Sequence, residues 1–138
     1  MSADVRLSLG SDSNVQINLL EDARSLEYHL RILKLERAVL TAKYLFSCAT
    51  EAGATSLGAP AGSLEPGRPA DFFTLALDDP SLAGADPESL LGGFVFSVER
   101  TAVRDVVIGG QSVIRDGRHP LAEEIIQQFG RVQQELWR

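Results

Sequence analysis

One short acid stands out among the residues that could do chemistry. The stretch "LGSDSN", residues 9–14, places Asp12 between two serines and shortly after a glycine. A carboxylate at the end of a strand can bind a metal ion or accept a proton during catalysis. Asp and Ser are also typical of polar turns, because their side chains hydrogen-bond to nearby backbone groups. The spacing alone favours the turn, since an acid without partner groups does no chemistry.

The histidines offer Asp12 few partners for a metal site. A zinc or iron site usually takes three or four ligands from His, Cys, Asp and Glu. The chain has two histidines, His29 and His119, and neither belongs to a His-x-His or His-Glu-x-x-His motif. A lone histidine on a helix is more often a surface or core residue than a ligand. A complete metal site within one copy of this chain is therefore not expected.

Nucleophilic catalysis has equally little support in the sequence. Ser11 and Ser13 flank Asp12, but no G-x-S-x-G elbow is present. The single cysteine, Cys48, lies in "LFSCATEAGA" without a basic neighbour, so we interpret it as a small core residue. The glycine-containing stretches "GSDSNV" and "GGQSV" lack the spacing of phosphate-binding loops. A small independent enzyme that uses one of these nucleophiles is the weakest hypothesis, because no base stands at a diagnostic spacing.

Composition narrows the class of protein. The 138 residues suffice for one domain or for part of a larger one, and the apolar share of 44% is normal for a globular chain. A net charge of −6 argues against a general nucleic-acid or anionic-membrane surface. No apolar run reaches the roughly 18 residues of a membrane span. The N-terminus lacks the features of a signal peptide, so a cytoplasmic location is expected.

The first half of the chain predicts one strand and two helices. Alternation in "VRLSLG", residues 5–10, is typical of a strand. A helix is predicted from an N-cap at Asn18, and a second helical stretch runs over 41–58 with Gly58 at its end. The apolar stripe of the first helix is formed by Leu19, Ala23, Leu26, Leu30 and Leu33. Its opposite face, expected to be solvated, carries Arg24, Glu27, Arg31, Lys34 and Arg37.

The second half predicts a small group of strands and a closing helix. A strand is expected over Phe72–Leu77, another at "FVFS" (94–97), and a hairpin about Gly109-Gly110. The last helix is expected from Pro120 onward. Its apolar stripe comprises Leu121, Ile125, Phe129, Val132 and Leu136. A lone strand followed by two helices has no sheet of its own, which indicates a chain that begins inside a larger α/β fold.

Three stretches carry a resemblance to a known family. They are "LGSDSNVQINLLEDARSLEYHLRI", "GSLEPGRPADFFTLALDDPSLAG" and "VFSVERTAVRDVVIGGQSVIRDGRHP". Together they resemble the C-terminal part of the metal-dependent amidohydrolases. The "SLEPGRPADF" and "IGG..V..DGR" patterns are common to many of these enzymes. The "LEYHLR" segment after "GSDS" and the "DDPSLAG" spacer resemble the formimidoylglutamate deiminases, which act in histidine degradation.

The resemblance implies a fold and a role for Asp12. The fold would be α/β: the last strand and outer helices of a (β/α)8 barrel over residues 1–58, part of a small β-sandwich over 59–118, and a C-terminal helix over 119–138. "VRLSLG" would be the eighth strand. Asp12 at its end would bind a Zn²⁺ ion and handle the proton of the attacking water. The complete enzyme would hydrolyse a C–N bond of a small-molecule substrate and release ammonia.

The chain also departs from the family pattern. The His-x-His pair, the later histidines and the catalytic Glu of the family are absent, so this chain alone is not expected to hold zinc tightly or to turn over. Asn14 stands where the subgroup usually has a histidine, and the link around "AVLTAKY" is short. Two further hypotheses stay open: a non-catalytic interaction module, and one half of a split enzyme. The partner would be a second copy of the chain or a separate N-terminal half, and neither nucleic acid nor membrane is expected.

Overall fold

The computed structural model describes residues 5–12 and 16–137, and it contains both helices and strands, as the sequence predicts. A 3₁₀ turn at Arg100–Ala102 precedes the second strand. The regular elements, in chain order, are α1 (Leu19–Lys34), α2 (Ala42–Ala49), α3 (Glu51–Ser56), β1 (Phe72–Leu75), α4 (Leu90–Phe96), β2 (Val103–Ile108), β3 (Gln111–Ile114) and α5 (Ala122–Leu136). No helix of this described part is long and apolar enough to cross a membrane.

Helix α1 begins where the sequence predicts it to begin. The side chain of Asn18 accepts a hydrogen bond of 3.1 Å from the backbone N–H of Leu20, which confirms the predicted N-cap. Glu21 and Asp22 lie in the first turn, where the helix dipole favours negative charge. The helix ends at Leu35, whose φ of 54° is left-handed.

The prediction that the charged face of α1 is solvated is wrong for two of its residues. Arg24 is only 7% exposed and Glu27 is fully buried. The guanidinium of Arg24 donates from Nε to the carbonyl of Val95 (2.7 Å) and from Nη2 to that of Val98 (2.8 Å). Helix α1 therefore packs on two sides, because this charged side chain bonds to carbonyls at the end of α4 and just after it.

The core lies where α1, α2 and α4 meet one face of the sheet. Its buried apolar side chains are Ala23, Leu45, Leu82, Phe94, Val95, Val98 and Ala102. The ring of Phe94 packs edge-on against Phe46 and stacks on Phe73, with 5.5 Å between centroids in both pairs. Cys48 is 2% exposed, which confirms its interpretation as a core residue.

The helical stretch predicted over 41–58 consists of two helices that join at Thr50. The Oγ1 of Thr41 accepts from the N–H of Tyr44 (3.2 Å) and caps α2. Thr50 Oγ1 donates to the carbonyl of Phe46 (2.8 Å), a local bond that competes with continuation of the helix. Gly58, with a φ of 65°, follows the end of α3 as predicted.

The three strands form one antiparallel sheet in the order β1-β2-β3. Phe72 pairs with Val107 and Phe73 pairs with Val106. Gly109 and Gly110, with φ of 57° and 77°, connect β2 to β3 and confirm the predicted hairpin. The carboxylate of Asp71 accepts from the N–H of Gly109 (2.6 Å), so the start of β1 holds this turn in place.

Two predicted strands are not strands in the structure. "FVFS" covers the end of α4, where Phe94 and Val95 are both buried. Consecutive buried residues fit a helix between two layers, whereas a strand would point them to opposite faces. The segment 5–10 has no neighbouring strand among the residues that the structure describes, and its Leu9 N–H donates instead to the carbonyl of Cys48 in α2 (3.3 Å).

Strand β1 and helix α5 form where they were predicted, but with different bounds. β1 ends at Leu75 rather than Leu77. α5 begins at Ala122 rather than Pro120. The N–H of the intervening Leu121 donates to His119 Nδ1 (3.2 Å), which holds the chain in a turn before the helix starts.

Two glycines in the loop after α3 should differ sharply in how much stability is lost when each is replaced by alanine. A Cβ on Gly62 (φ 92°) would lie 2.8 Å from the Cα of Glu51 and 2.9 Å from the carbonyl oxygen of Thr50. A Cβ on Gly67 (φ 88°) would meet nothing within 4 Å. Both alanine variants incur left-handed backbone strain of about 1–2 kcal/mol. Gly62→Ala additionally forces apart packed backbone, at a cost of about 1–3 kcal/mol.

Urea unfolding followed by circular dichroism measures this difference. We expect Gly62→Ala to lose clearly more stability than its matched control Gly67→Ala. Equal losses in the two variants would show that the loop moves freely away from the α2–α3 junction.

Candidate functional site

Asp12 lies in an exposed turn at the end of the first described segment. Its φ of 30° is unusual for a residue other than glycine, and short polar side chains such as Asp tolerate this region best. The predicted turn is therefore confirmed. An exposed turn also leaves the carboxylate accessible, so the turn does not conflict with a ligand role. Ser13 and Asn14, which follow Asp12 in the sequence, lie outside the described residues.

The position of Asp12 depends on helix α2. The Leu9 side chain packs against the core, and its N–H donates to the carbonyl of Cys48 (3.3 Å). These contacts fix the chain three positions before Asp12. Burial raises the pKa of the Cys48 thiol, which keeps the sulfur protonated and unreactive at neutral pH. Cys48 thus acts as a packing residue next to the segment that carries Asp12.

The two histidines have structural roles in the described fold. His29 is exposed on α1, with Nδ1 2.7 Å from the carbonyl oxygen of Ser25 one turn earlier. His119 accepts the N–H of Leu121 at Nδ1, just before α5. Within residues 5–12 and 16–137, no three His, Cys, Asp or Glu side chains come together in a way that could hold a metal ion. The structure therefore does not bring His29 and His119 to Asp12 as a ligand set.

Open grooves flank the elements that position Asp12. An apolar groove of about 480 Å³ lies between the sheet and the helices, lined in part by the rings of Phe46, Phe73 and Phe94. Its rim includes Ile17 and Leu19, a few residues after Asp12. A polar groove of about 580 Å³ runs between residues 5–7, helices α2 and α3, and the loop 61–68. Both grooves leave packing surfaces open to solvent.

Sequence reasoning missed the buried carboxylate of Glu27, which links α1 to the segment that follows it. The Glu27 carboxylate accepts from Arg31 Nε (2.8 Å) and from the backbone N–H groups of Val39 (3.0 Å) and Leu40 (2.7 Å). Burial raises the pKa of Glu27, but the Arg31 guanidinium and the two amides outweigh it and hold the pKa below its usual value. The spacing of four between Glu27 and Arg31 was the available indication, and it is common on solvated helices as well.

The chain is similar to known enzymes over nearly its whole length. The chain is 39% identical to formimidoylglutamate deiminase from Pseudomonas aeruginosa, and the alignment covers 95% of this chain and 30% of that enzyme. Among solved structures, an amidohydrolase from Brucella melitensis superposes with a TM-score of 0.77 at 32% identity, over 95% of this chain and 30% of that one. The chain thus spans about a third of the length of these relatives.

A third comparison includes a metal. The atrazine chlorohydrolase from Arthrobacter aurescens TC1, solved in complex with zinc, superposes with a TM-score of 0.72 at 31% identity. The match covers 86% of this chain and 27% of that one. The small sheet and the surrounding helices therefore correspond to one portion of amidohydrolase structures.

The family itself is shown by a model that spans most of the chain. The amidohydrolase family model matches residues 1–113, from before Asp12 to the last strand of the sheet. This match agrees with the resemblance carried by "LGSDSN" and "SLEPGRPADF". The chain belongs to the amidohydrolase family.

Proposed function

We propose that this chain acts as the C-terminal part of a zinc-dependent deiminase that hydrolyses a C–N bond of formimidoylglutamate or a closely related imine. The 39% identity to formimidoylglutamate deiminase across 95% of the chain is the observation that carries this proposal. That similarity extends over the Asp12 segment, the sheet and the final helix. Because the chain covers 30% of that enzyme, the activity needs residues that another polypeptide segment supplies.

The proposed architecture is consistent with the same similarity. Residues 1–58 would complete a (β/α)8 barrel, with 5–10 as its eighth strand; 59–118 would form part of a β-sandwich, and 119–138 the closing helix. Two features of the structure support this assignment. Val5 is 75% exposed and Leu7 is 39% exposed, on a segment that has no strand partner within the described residues. In a complete barrel, neighbouring strands would pair with the backbone of this segment, and the layers inside and outside the barrel would cover these side chains.

Asp12 would be the one zinc ligand that this chain contributes. Its carboxylate is exposed and is not grouped with two further ligands in the part of the chain that the structure describes, so it fits one position of a zinc site but not a whole site. Zinc, when bound, would act as a Lewis acid that activates the attacking water. Asp12 would accept a proton from that water and pass it to the leaving nitrogen, which departs as ammonia while oxygen takes its place on carbon.

A non-catalytic interaction module is the second candidate. The apolar side chains along α5 are exposed, among them Ile126 (69%) and Phe129 (62%). An apolar surface of this kind is typical of a protein-binding site. Under this hypothesis Asp12 remains a turn residue, and zinc has no effect on the chain, either alone or in complex with another polypeptide.

Complementation tests the proposed function. The purified chain is compared with the chain co-expressed with the upstream two-thirds of the Pseudomonas aeruginosa deiminase, the part that it does not match. We expect little zinc and no ammonia release from the chain alone, and about one zinc per complex with turnover of formimidoylglutamate after complementation. The upstream part alone serves as the control.

Two results would contradict the proposal in different ways. Stoichiometric zinc and turnover by the chain alone would show that it needs no upstream part. A stable complex that binds no zinc and releases no ammonia would favour the interaction module.

A further inference from the structure

Helix α5 presents an apolar face that nothing in the described structure covers. It has no buried residue, and it shares no extensive contact with another helix or strand of the described part. Its exposed apolar side chains, with those next to its ends, are Leu121 (52%), Ile125 (54%), Ile126 (69%), Phe129 (62%), Val132 (49%), Leu136 (68%) and Trp137 (83%). Most of them follow one another at spacings of three and four, so they form one continuous stripe.

The length of α5 implies that this stripe is normally covered. The helix has 15 residues, and Gly130 lies within it. Isolated helices shorter than about 12–15 residues are marginal in water, and an internal glycine weakens them further. Tertiary packing of an amphipathic face supplies most of the stability of helices in proteins. A partner surface for the stripe is therefore needed.

The charges beside the stripe indicate which partner fits. Glu124 and Arg131 are seven residues apart, so they lie on the same flank of the helix, along one edge of the apolar stripe. Gln128 lies between them and donates to the Glu124 carboxylate (2.9 Å). If two such helices pack antiparallel, Glu124 of each copy faces Arg131 of the other. The flank is thus complementary to itself in one orientation.

We propose that α5 is a self-association helix that packs antiparallel against α5 of a second copy of the chain. The centre of the crossing lies near residues 127–128, where Ile125 of one copy meets Phe129 of the other. Two Glu124–Arg131 pairs close one edge of the interface. A two-fold axis generates both pairs from one sequence, as expected for an isologous interface. This inference rests on α5 alone and is independent of zinc or catalysis.

Charge reversal provides the test. Sedimentation velocity from micromolar to near-millimolar concentration is expected to show a reversible dimer for the unmodified chain. Glu124→Arg and Arg131→Glu each place like charges opposite one another twice, and each should weaken the dimer about tenfold. The double variant Glu124→Arg/Arg131→Glu restores opposite charges and should return to within about threefold of the original dissociation constant.

A control variant separates the interface from general effects on the helix. Glu123→Arg makes the same charge change in the same helical turn, but on the opposite face, so the dimer should persist. Phe129→Asp should abolish the dimer. Helix content measured by far-ultraviolet circular dichroism verifies that each variant is folded.

Three outcomes would overturn the proposal. The first is a monomer at every concentration. The second is a double variant that dimerises no better than the single variants. The third is a complex with the upstream deiminase part that covers α5 and remains monomeric. The readout is molecular mass, so these outcomes are distinct from a failure of zinc binding or turnover.

Discussion

Replacing Glu27 by glutamine is expected to lower the free energy of unfolding by about 2–3 kcal/mol, in the upper range for leaving a buried hydrogen-bond donor without its acceptor. The Glu27 carboxylate is fully buried and accepts hydrogen bonds from Arg31 Nε and from the N–H groups of Val39 and Leu40. A glutamine keeps the shape of the side chain. Its amide nitrogen, however, would face a backbone donor, so at least one of these donors would lose its acceptor without access to water.

The same variant should change how stability depends on pH. The folded-state pKa of Glu27 is held below the ordinary value of 4.5, so the unfolded state binds this proton more readily than the folded state. Its stabilising contribution is therefore complete above pH 4.5 and is lost as the pH falls through the lower folded pKa. The difference in stability between the unmodified chain and Glu27→Gln should be constant near neutral pH and should shrink below pH 4.5.

Denaturant unfolding at a series of pH values measures both effects. Glu36→Gln is the matched control, because it makes the same chemical change at an exposed position just after α1. We expect the control to alter stability by about 0.5 kcal/mol or less. A loss in Glu27→Gln no larger than in the control would mean that the loop 36–40 does not depend on this carboxylate.

The structure also indicates which kinds of feature the sequence reveals. The first helix, its Asn18 cap and the Gly109-Gly110 hairpin were predicted correctly, because each depends on residues that are neighbours in sequence. The buried state of Arg24 and Glu27 was not predicted. Their burial depends on the end of α4 and on the loop 36–40, and no local pattern distinguishes a buried charged stripe from a solvated one.

The segment containing Asp12 shows even more strongly that local patterns do not reveal contacts between residues distant in sequence. Alternation in "VRLSLG" predicted a strand, yet a strand is defined by its partners, and the described structure offers none to residues 5–10. Likewise, the turn at Asp12 could be predicted from residue type, while its role as a ligand depends on residues that the described structure does not bring to it. The family resemblance, and not periodicity, supplied that hypothesis.

Replacing Asp12 by asparagine in the complemented enzyme is expected to lower kcat/KM for formimidoylglutamate about 10³-fold, within the range for loss of a group that transfers protons. Asparagine matches the size of aspartate and tolerates the φ of 30° at this position, so the turn should survive. The amide can neither accept the proton nor offer zinc a charged ligand. Zinc content per complex should therefore fall together with turnover, while complex formation remains unchanged.

Asp116→Asn is the control for this variant, because Asp116 also occupies a turn at positive φ (48°) and is exposed. Its ion pair with Arg104 (2.7 Å) lies at the surface, where such pairs contribute about 1 kcal/mol or less. The control should leave zinc content and kcat/KM unchanged. If Asp12→Asn instead behaved like Asp116→Asn in an active complex, the proton-transfer and ligand roles of Asp12 would both be wrong. Loss of turnover with zinc fully retained would restrict Asp12 to proton transfer and assign the metal to ligands outside this chain.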